Sequence, residues 1–184
     1  MLSIILAISL ITSPDSVTIR NTQNISYRVF MHPVRKIPLH DSLKVDTLSN
    51  GVNSILYFQY KTNKDWSTPK IIDENISEYA MTVTSGDYVH IVWCKDGRVY
   101  YKTNQLPLSH TDTTQWECNL AISIPELTEP ASNISIYTKN DYIYVNWQVP
   151  LEGNPNQVEK WRRARWLGNT PFEWETPECL SEIR

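Results

Sequence analysis

The chain has 184 residues, with 17 Lys and Arg against 20 Asp and Glu, enough for one domain with a sizeable core. A formal net charge of −3 gives no electrostatic reason to expect nucleic acid as a partner, and no long block of like charge marks an interaction tail. Five glycines beside seven tryptophans and ten tyrosines favour strands over helices and leave little from which to build a Gly-rich phosphate loop.

The first segment, Met1-Leu-Ser-Ile-Ile-Leu-Ala-Ile-Ser-Leu-Ile-Thr12-Ser13, is too short to span a bilayer as a helix, so no integral membrane segment is expected. It has the length of a signal-peptide apolar region, although the positive leader of such peptides is missing. Residues 1–15 are therefore expected to be a signal peptide, with a secreted or periplasmic protein as the consequence. A buried first strand, or a start inside a longer gene, is the alternative. Ser16–Arg20, Ile25–Met31 and Leu43–Leu48 have strand composition, and Pro33 and Pro38 mark loop.

From Ile55 onward the chain repeats itself. Tyr60-Lys61-Thr62-Asn63 returns as Tyr101-Lys102-Thr103-Asn104. Asp87-Tyr88-Val89-His90-Ile91-Val92-Trp93 returns as Asp141-Tyr142-Ile143-Tyr144-Val145-Asn146-Trp147. A segment opening on Trp occurs three times, at Trp66, Trp116 and Trp174. The order is constant. A short strand near Met81–Thr84 or Ile134–Tyr137 meets a turn at Ser85-Gly86 or Lys139-Asn140. A strand ending in Trp93 or Trp147 follows, then a Tyr-rich strand such as Val99–Thr103, then the Trp segment. Four short strands in about 50 residues is the plan of one propeller blade.

Alternation supports strands. Val89, Ile91 and Trp93 share one face, as do Ile143, Val145 and Trp147, while Tyr88, His90 and Val92 occupy the other. Both faces are partly apolar, as a sheet packed between two neighbours requires. The expected fold is all-β, a partial β-propeller of four-stranded blades, with two full blades and one partial blade. The blades fall roughly at residues 16–78, 79–129 and 130–184. An open stack of this kind invites self-association, or pairing with missing blades.

The run Tyr-Val-His-Ile-Val-Trp, then Val-Tyr-Tyr-Lys, then Trp-x-x-Pro-x-x-Ile resembles the repeats of sialidase-like (BNR-type) β-propeller proteins, over roughly Ile55 to Ser181. The resemblance implies a fold more than an activity. The Asp-box of that superfamily, Ser-x-Asp-x-Gly-x-Thr-Trp, is not intact: Thr62-Asn63-Lys64-Asp65 precede Trp66, Asp112-Thr113-Thr114-Gln115 precede Trp116, and Thr170-Pro171-Phe172-Glu173 precede Trp174. Sialidases use an arginine triad, a Tyr/Glu pair and an acidic Asp, and none of these can be assigned to positions of this chain. The resemblance therefore does not carry sialidase activity with it.

Candidate sites are few. Asp87 and Asp141 stand at equivalent turns, where Asp accepts local backbone hydrogen bonds, rather than as a hydrolytic carboxylate pair. His32, His40, His90 and His110 lack ligand spacing, and Cys94, Cys118 and Cys179 contain no C-x-x-C pair, so neither metal nor cofactor is expected. The richest cluster is Trp161-Arg162-Arg163-Ala164-Arg165-Trp166. Arg162, Arg163, Arg165 and Trp166 offer bidentate forks and a stacking surface for a ligand, or else form a strand with Arg in solvent and Trp packed between blades. No catalytic residue is assigned. The function expected is a non-catalytic secreted propeller module binding a glycan or a protein partner. The alternative is a fragment of a sialidase-like glycoside hydrolase whose catalytic residues lie partly outside the chain.

Overall fold

The computed structural model describes residues 16–20, 26–34, 53–61, 65–84, 88–104, 120–123, 130–167 and 173–180. The expected signal segment, the Leu43–Leu48 strand, the Ser85-Gly86 turn, Asp87 and Trp116 lie outside them.

Among the described residues, twelve strands form three four-stranded antiparallel sheets, each with its strands in chain order. The first sheet contains β1 (Ser16–Arg20), β2 (Ser26–Val34), β3 (Asn53–Lys61) and β4 (Lys70–Glu74). The second contains β5 (Ile76–Val83), β6 (Val89–Lys95), β7 (Arg98–Thr103) and β8 (Leu120–Ala121). The third contains β9 (Ser132–Lys139), β10 (Tyr142–Leu151), β11 (Asn154–Trp166) and β12 (Glu178–Cys179).

The expectation of a partial first unit is corrected, because β1 and β2 complete its sheet. Register explains why the repeated motifs miss them. Tyr60 and Tyr101 are equivalent by the repeated Tyr-Lys-Thr-Asn, and their neighbours Gln59 and Tyr100 pair with Arg28 and Trp93. Arg28 thus occupies the place of the motif Trp, which in the third sheet is Trp147, paired with Trp161.

Local chemistry sets the turns. Asp96 and Gly97 close the β6–β7 hairpin at φ 49° and 74°, the left-handed pair that a two-residue hairpin needs. Asn140 and Asp141, at φ 49° and 62°, do the same between β9 and β10, one residue later than the expected Lys139-Asn140. Each fourth strand starts four positions after a Trp: Lys70 after Trp66, Leu120 after Trp116, and Glu178 after Trp174. Trp66 bridges back to Lys61 and Trp174 to Arg165, so the segment folds onto the end of the third strand before pairing with it.

Two apolar layers hold the sheets face to face. Val29, Leu56, Phe58 and Ile72 of the first sheet pack with Ile76, Tyr79, Met81, Val89, Ile91 and Trp93 of the second. The other face of the second sheet, with Val92, Cys94, Val99 and Tyr101, packs on Ile136, Ile143, Val145, Trp147 and Val149 of the third. Val89 to Cys94 are consequently buried without a break, whereas β10 alternates buried and half-buried positions because, among the described residues, only one of its faces is covered. The first strands come together: β5 lies against β1 on one side and against β9 on the other. Among the described residues, no helix is long and apolar enough to cross a membrane.

Candidate functional site: the Arg-Trp strand and its two sides

Strand alternation divides the Arg-Trp cluster. In β11, Arg163 pairs with Val145 and Arg165 with Ile143, residues of the covered face, whereas Arg162 pairs with Asn146 and Trp166 with Tyr142 on the open face. The four expected ligand residues are therefore not convergent.

The two inward arginines tie the third sheet to the second. Arg163 donates through Nε to the Glu175 carbonyl at 2.7 Å and through Nη1 to the Ile122 carbonyl at 3.0 Å, joining the two sheets. Burial lowers its pKa from the ordinary Arg value. Arg165 is 0% exposed, with its guanidinium 5.3 Å from the Tyr101 ring centroid and 5.8 Å from that of Trp174. Those two rings meet edge to face at 4.9 Å. Tyr101 Oη lies 2.7 Å from Nδ1 of the fully buried His90, and Thr84 Oγ1 lies 3.5 Å from its Nε2. Burial, and secondarily the positive charge of Arg165, hold the His90 pKa well below 6.5, so the imidazole is neutral at pH 7. His90, which the sequence places on a strand without ligand spacing, is the centre of a buried polar and aromatic network.

The open face of the third sheet differs in character. Tyr137 and Tyr144 stack at 5.2 Å with an interplanar angle of 16°, and Tyr142 lies 6.0 Å from Tyr144. The Arg162 guanidinium sits 5.4 Å over Tyr144, and its Nε donates to Glu178 Oε1 at 2.6 Å. Glu178 first, and Tyr137 as well, raise the Arg162 pKa. Asn146 Nδ2 donates to Ser135 Oγ at 3.2 Å, and Asn133 Nδ2 to Gln148 Oε1 at 2.9 Å. Trp166 stands at the end of the same strand, 44% exposed. Sequence pattern alone gives Tyr137, Tyr144 and Asn146 no site role, although Asn146 in the place of Val92 is visible in the aligned repeats.

The remaining candidates stand apart. Asp141 is an exposed turn residue, and its carbonyl accepts from the Leu167 amide at 2.8 Å. Cys94 is a buried thiol whose Sγ donates to the Ala131 carbonyl at 3.0 Å, and burial pushes its pKa up. Trp66 carries the Arg28 guanidinium 4.3 Å above its ring. His40, His110 and Cys118 lie outside the described residues. Among the described residues, no group of three or more His, Cys, Asp or Glu could hold a metal ion.

No protein-family model matches the chain, and no curated protein matches it.

Proposed function

We propose that the three sheets are consecutive blades of a sialidase-like β-propeller, and that the chain is a non-catalytic module, secreted or periplasmic, that binds a carbohydrate or a protein partner. Three antiparallel meanders of one strand order support the propeller reading, with the middle sheet covered on both faces and the first strands together. The observation that carries the binding reading is the open face of the third sheet, where stacked tyrosines stand beside Arg162, Asn146 and Gln148. Aromatic area with a few fixed polar groups is the usual make-up of a recognition surface.

The hydrolase reading is less favoured for a specific reason. Carboxylate capture by an arginine group needs guanidinium forks converging on one point, and here Arg163 and Arg165 are spent on the inter-sheet contact while Arg162 points to the other side. Incubating the purified chain with fluorogenic sialosides and other aryl glycosides, alongside a glycan array, tests this. Retention of glycan without release of fluorophore is expected. Turnover above the level of a heat-treated control would overturn the non-catalytic reading.

A further inference from the structure

The repeats allow the same face of each sheet to be compared. In the second and third sheets, the face turned toward the preceding sheet is apolar, with Met81, Trp93 and Tyr100 in one and Ile136, Trp147 and Trp161 in the other. Register carries these positions onto the first sheet as Arg20, Arg28 and Gln59. Among the described residues, no sheet lies against that face of the first sheet. A surface that is a buried apolar joint in two units is thus cationic in the remaining one.

Arg20 and Lys61 flank Ser26 in one cross-strand row, and Arg28 is the next residue on the same face of β2. None of the three forms an ion pair with a described residue, whereas Lys95 pairs with Asp73 and Arg162 with Glu178. Asp65, next to Trp66, is exposed and joins none of them. Glu74 pairs with Ile55 near the far end of β3, about 20 Å along the strand from Lys61. Neutral groups hold Arg28 in place. Its guanidinium lies 4.3 Å over Trp66 and 5.2 Å over Phe30, and its Nη2 donates to Gln59 Oε1. Gln59 Nε2 is in turn fixed on the Ser67 carbonyl at 2.6 Å. Rings and an amide orient the cation without neutralising it. Beside it Phe30 and Tyr57 stack at 5.4 Å, and Ile71, paired with Tyr57, is 53% exposed. Arginine among aromatic rings is the composition of the centre of a protein–protein interface.

Two occupants match this face poorly. An apolar sheet would strip water from three cations and supply nothing in return. A second copy of the chain would bring its third sheet, whose open face carries Lys139, Lys160 and Arg162, so cations would meet cations. The joint between the first and second sheets shows the chemistry that does match. There Asp73 of the preceding sheet accepts from Trp93, the residue in the place of Arg28. We infer that the open face of the first sheet docks an acidic, β-structured segment of another polypeptide, with Arg20, Arg28 and Lys61 receiving its carboxylates and Tyr57 and Ile71 its apolar side chains. The inference rests on the proposed reading of the chain as a non-catalytic binding module and names one class of partner for it.

The test titrates the full chain with a dodecapeptide of alternating Thr and Asp, which as a strand puts all its carboxylates on one side. A Thr–Lys dodecapeptide and an oligogalacturonate serve as contrasts, and binding is read by calorimetry at low and high salt. Saturable, salt-sensitive binding of the acidic peptide is expected, with no binding of the basic one. Arg28→Gln should weaken it about fivefold or more and Lys61→Gln about threefold, whereas Lys139→Gln on the third sheet should leave it unchanged. Thermal midpoints show whether Arg28→Gln has lost its fold, and in that case the half-exposed Lys61 still decides the question. Absence of peptide binding, equal losses in all three variants, or tighter binding of the oligogalacturonate would each overturn the inference. Glycan retention on the array alongside any of these results leaves the binding module standing. Release of fluorophore from an aryl glycoside would strike the module reading instead.

Discussion

The two interfaces between sheets share an apolar plan and differ in every polar tie. Trp93 and Trp147 are equivalent, each buried against the preceding sheet. Between the first and second sheets, Asp73 of β4 accepts from Trp93 Nε1 at 3.0 Å and from Lys95 Nζ at 2.7 Å. The position equivalent to Asp73 in the next unit is Ser123, whose hydroxyl accepts from the Val99 amide at 3.1 Å, and Trp147 Nε1 is buried with no partner among the described residues. The second interface compensates elsewhere. It uses Arg163 on the Ile122 carbonyl, Glu78 accepting from the Ile134 amide at 3.1 Å, Arg165 between Tyr101 and Trp174, and the Ala131 amide on the Gly97 carbonyl at 2.9 Å. Repetition thus preserves the buried shape, while the polar contacts are solved anew at each joint.

The largest break in this comparison is expected at Arg165. Arg165→Ala removes a wholly buried side chain from between two rings and should destabilise the chain by about 3 kcal/mol, measured by denaturant unfolding. Arg28→Ala, on the open side of the first sheet, should cost much less. Equal losses would mean that the buried network is not what holds the second joint.

Acid should strike the same joint. His90 is neutral in the folded protein because burial, then Arg165, lower its pKa, so the unfolded chain takes up the proton first as pH falls. Its contribution is complete above about pH 6.5 and is lost below it, by up to about 1.4 kcal/mol per pH unit until the folded imidazole itself titrates. Stability measured from pH 7.5 to 5.5 should show this slope, and His90→Gln should flatten it. An unchanged slope in that variant would assign the acid sensitivity to other groups.

A smaller effect is expected where the β6–β7 hairpin meets the third sheet. Gly97 holds φ 74°, and a Cβ placed there would come within 3.0 Å of Pro130. Gly97→Ala should cost about 1–2 kcal/mol by thermal denaturation, from backbone strain and from the displaced Pro130 together. The smallest difference is also the sharpest. Trp93→Phe and Trp147→Phe remove similar ring area, but only the first breaks a hydrogen bond to a carboxylate. Trp93→Phe should therefore be the more damaging by about 1 kcal/mol, and Asp73→Ala should erase the gap in a double-mutant cycle.

The alternation of Val89, Ile91 and Trp93 is enough to place a strand covered on both faces, because side chains of period two must divide between two layers. The repeated Trp segments are enough to place the fourth strands. The same alternation, applied to β11, separates Arg162 from Arg163 by position in the chain alone. The polar face of the third sheet is half visible, since Asn146 in place of Val92 needs only the aligned repeats, but Tyr137 and Arg162 join it only through cross-strand pairing.

The sequence by itself determined the all-β class, the repeating unit and the two-faced burial of its middle sheet, since these follow from local periodicity and spacing. Tertiary structure alone decided that the first unit is a full sheet with Arg28 in the place of Trp, that Arg165 and His90 are buried together, and that Trp147 lacks the partner Trp93 has. Those outcomes depend on which side chains from distant strands meet across a joint. A buried polar atom is satisfied or stranded by a neighbour tens of residues away along the chain, and no local pattern encodes that neighbour.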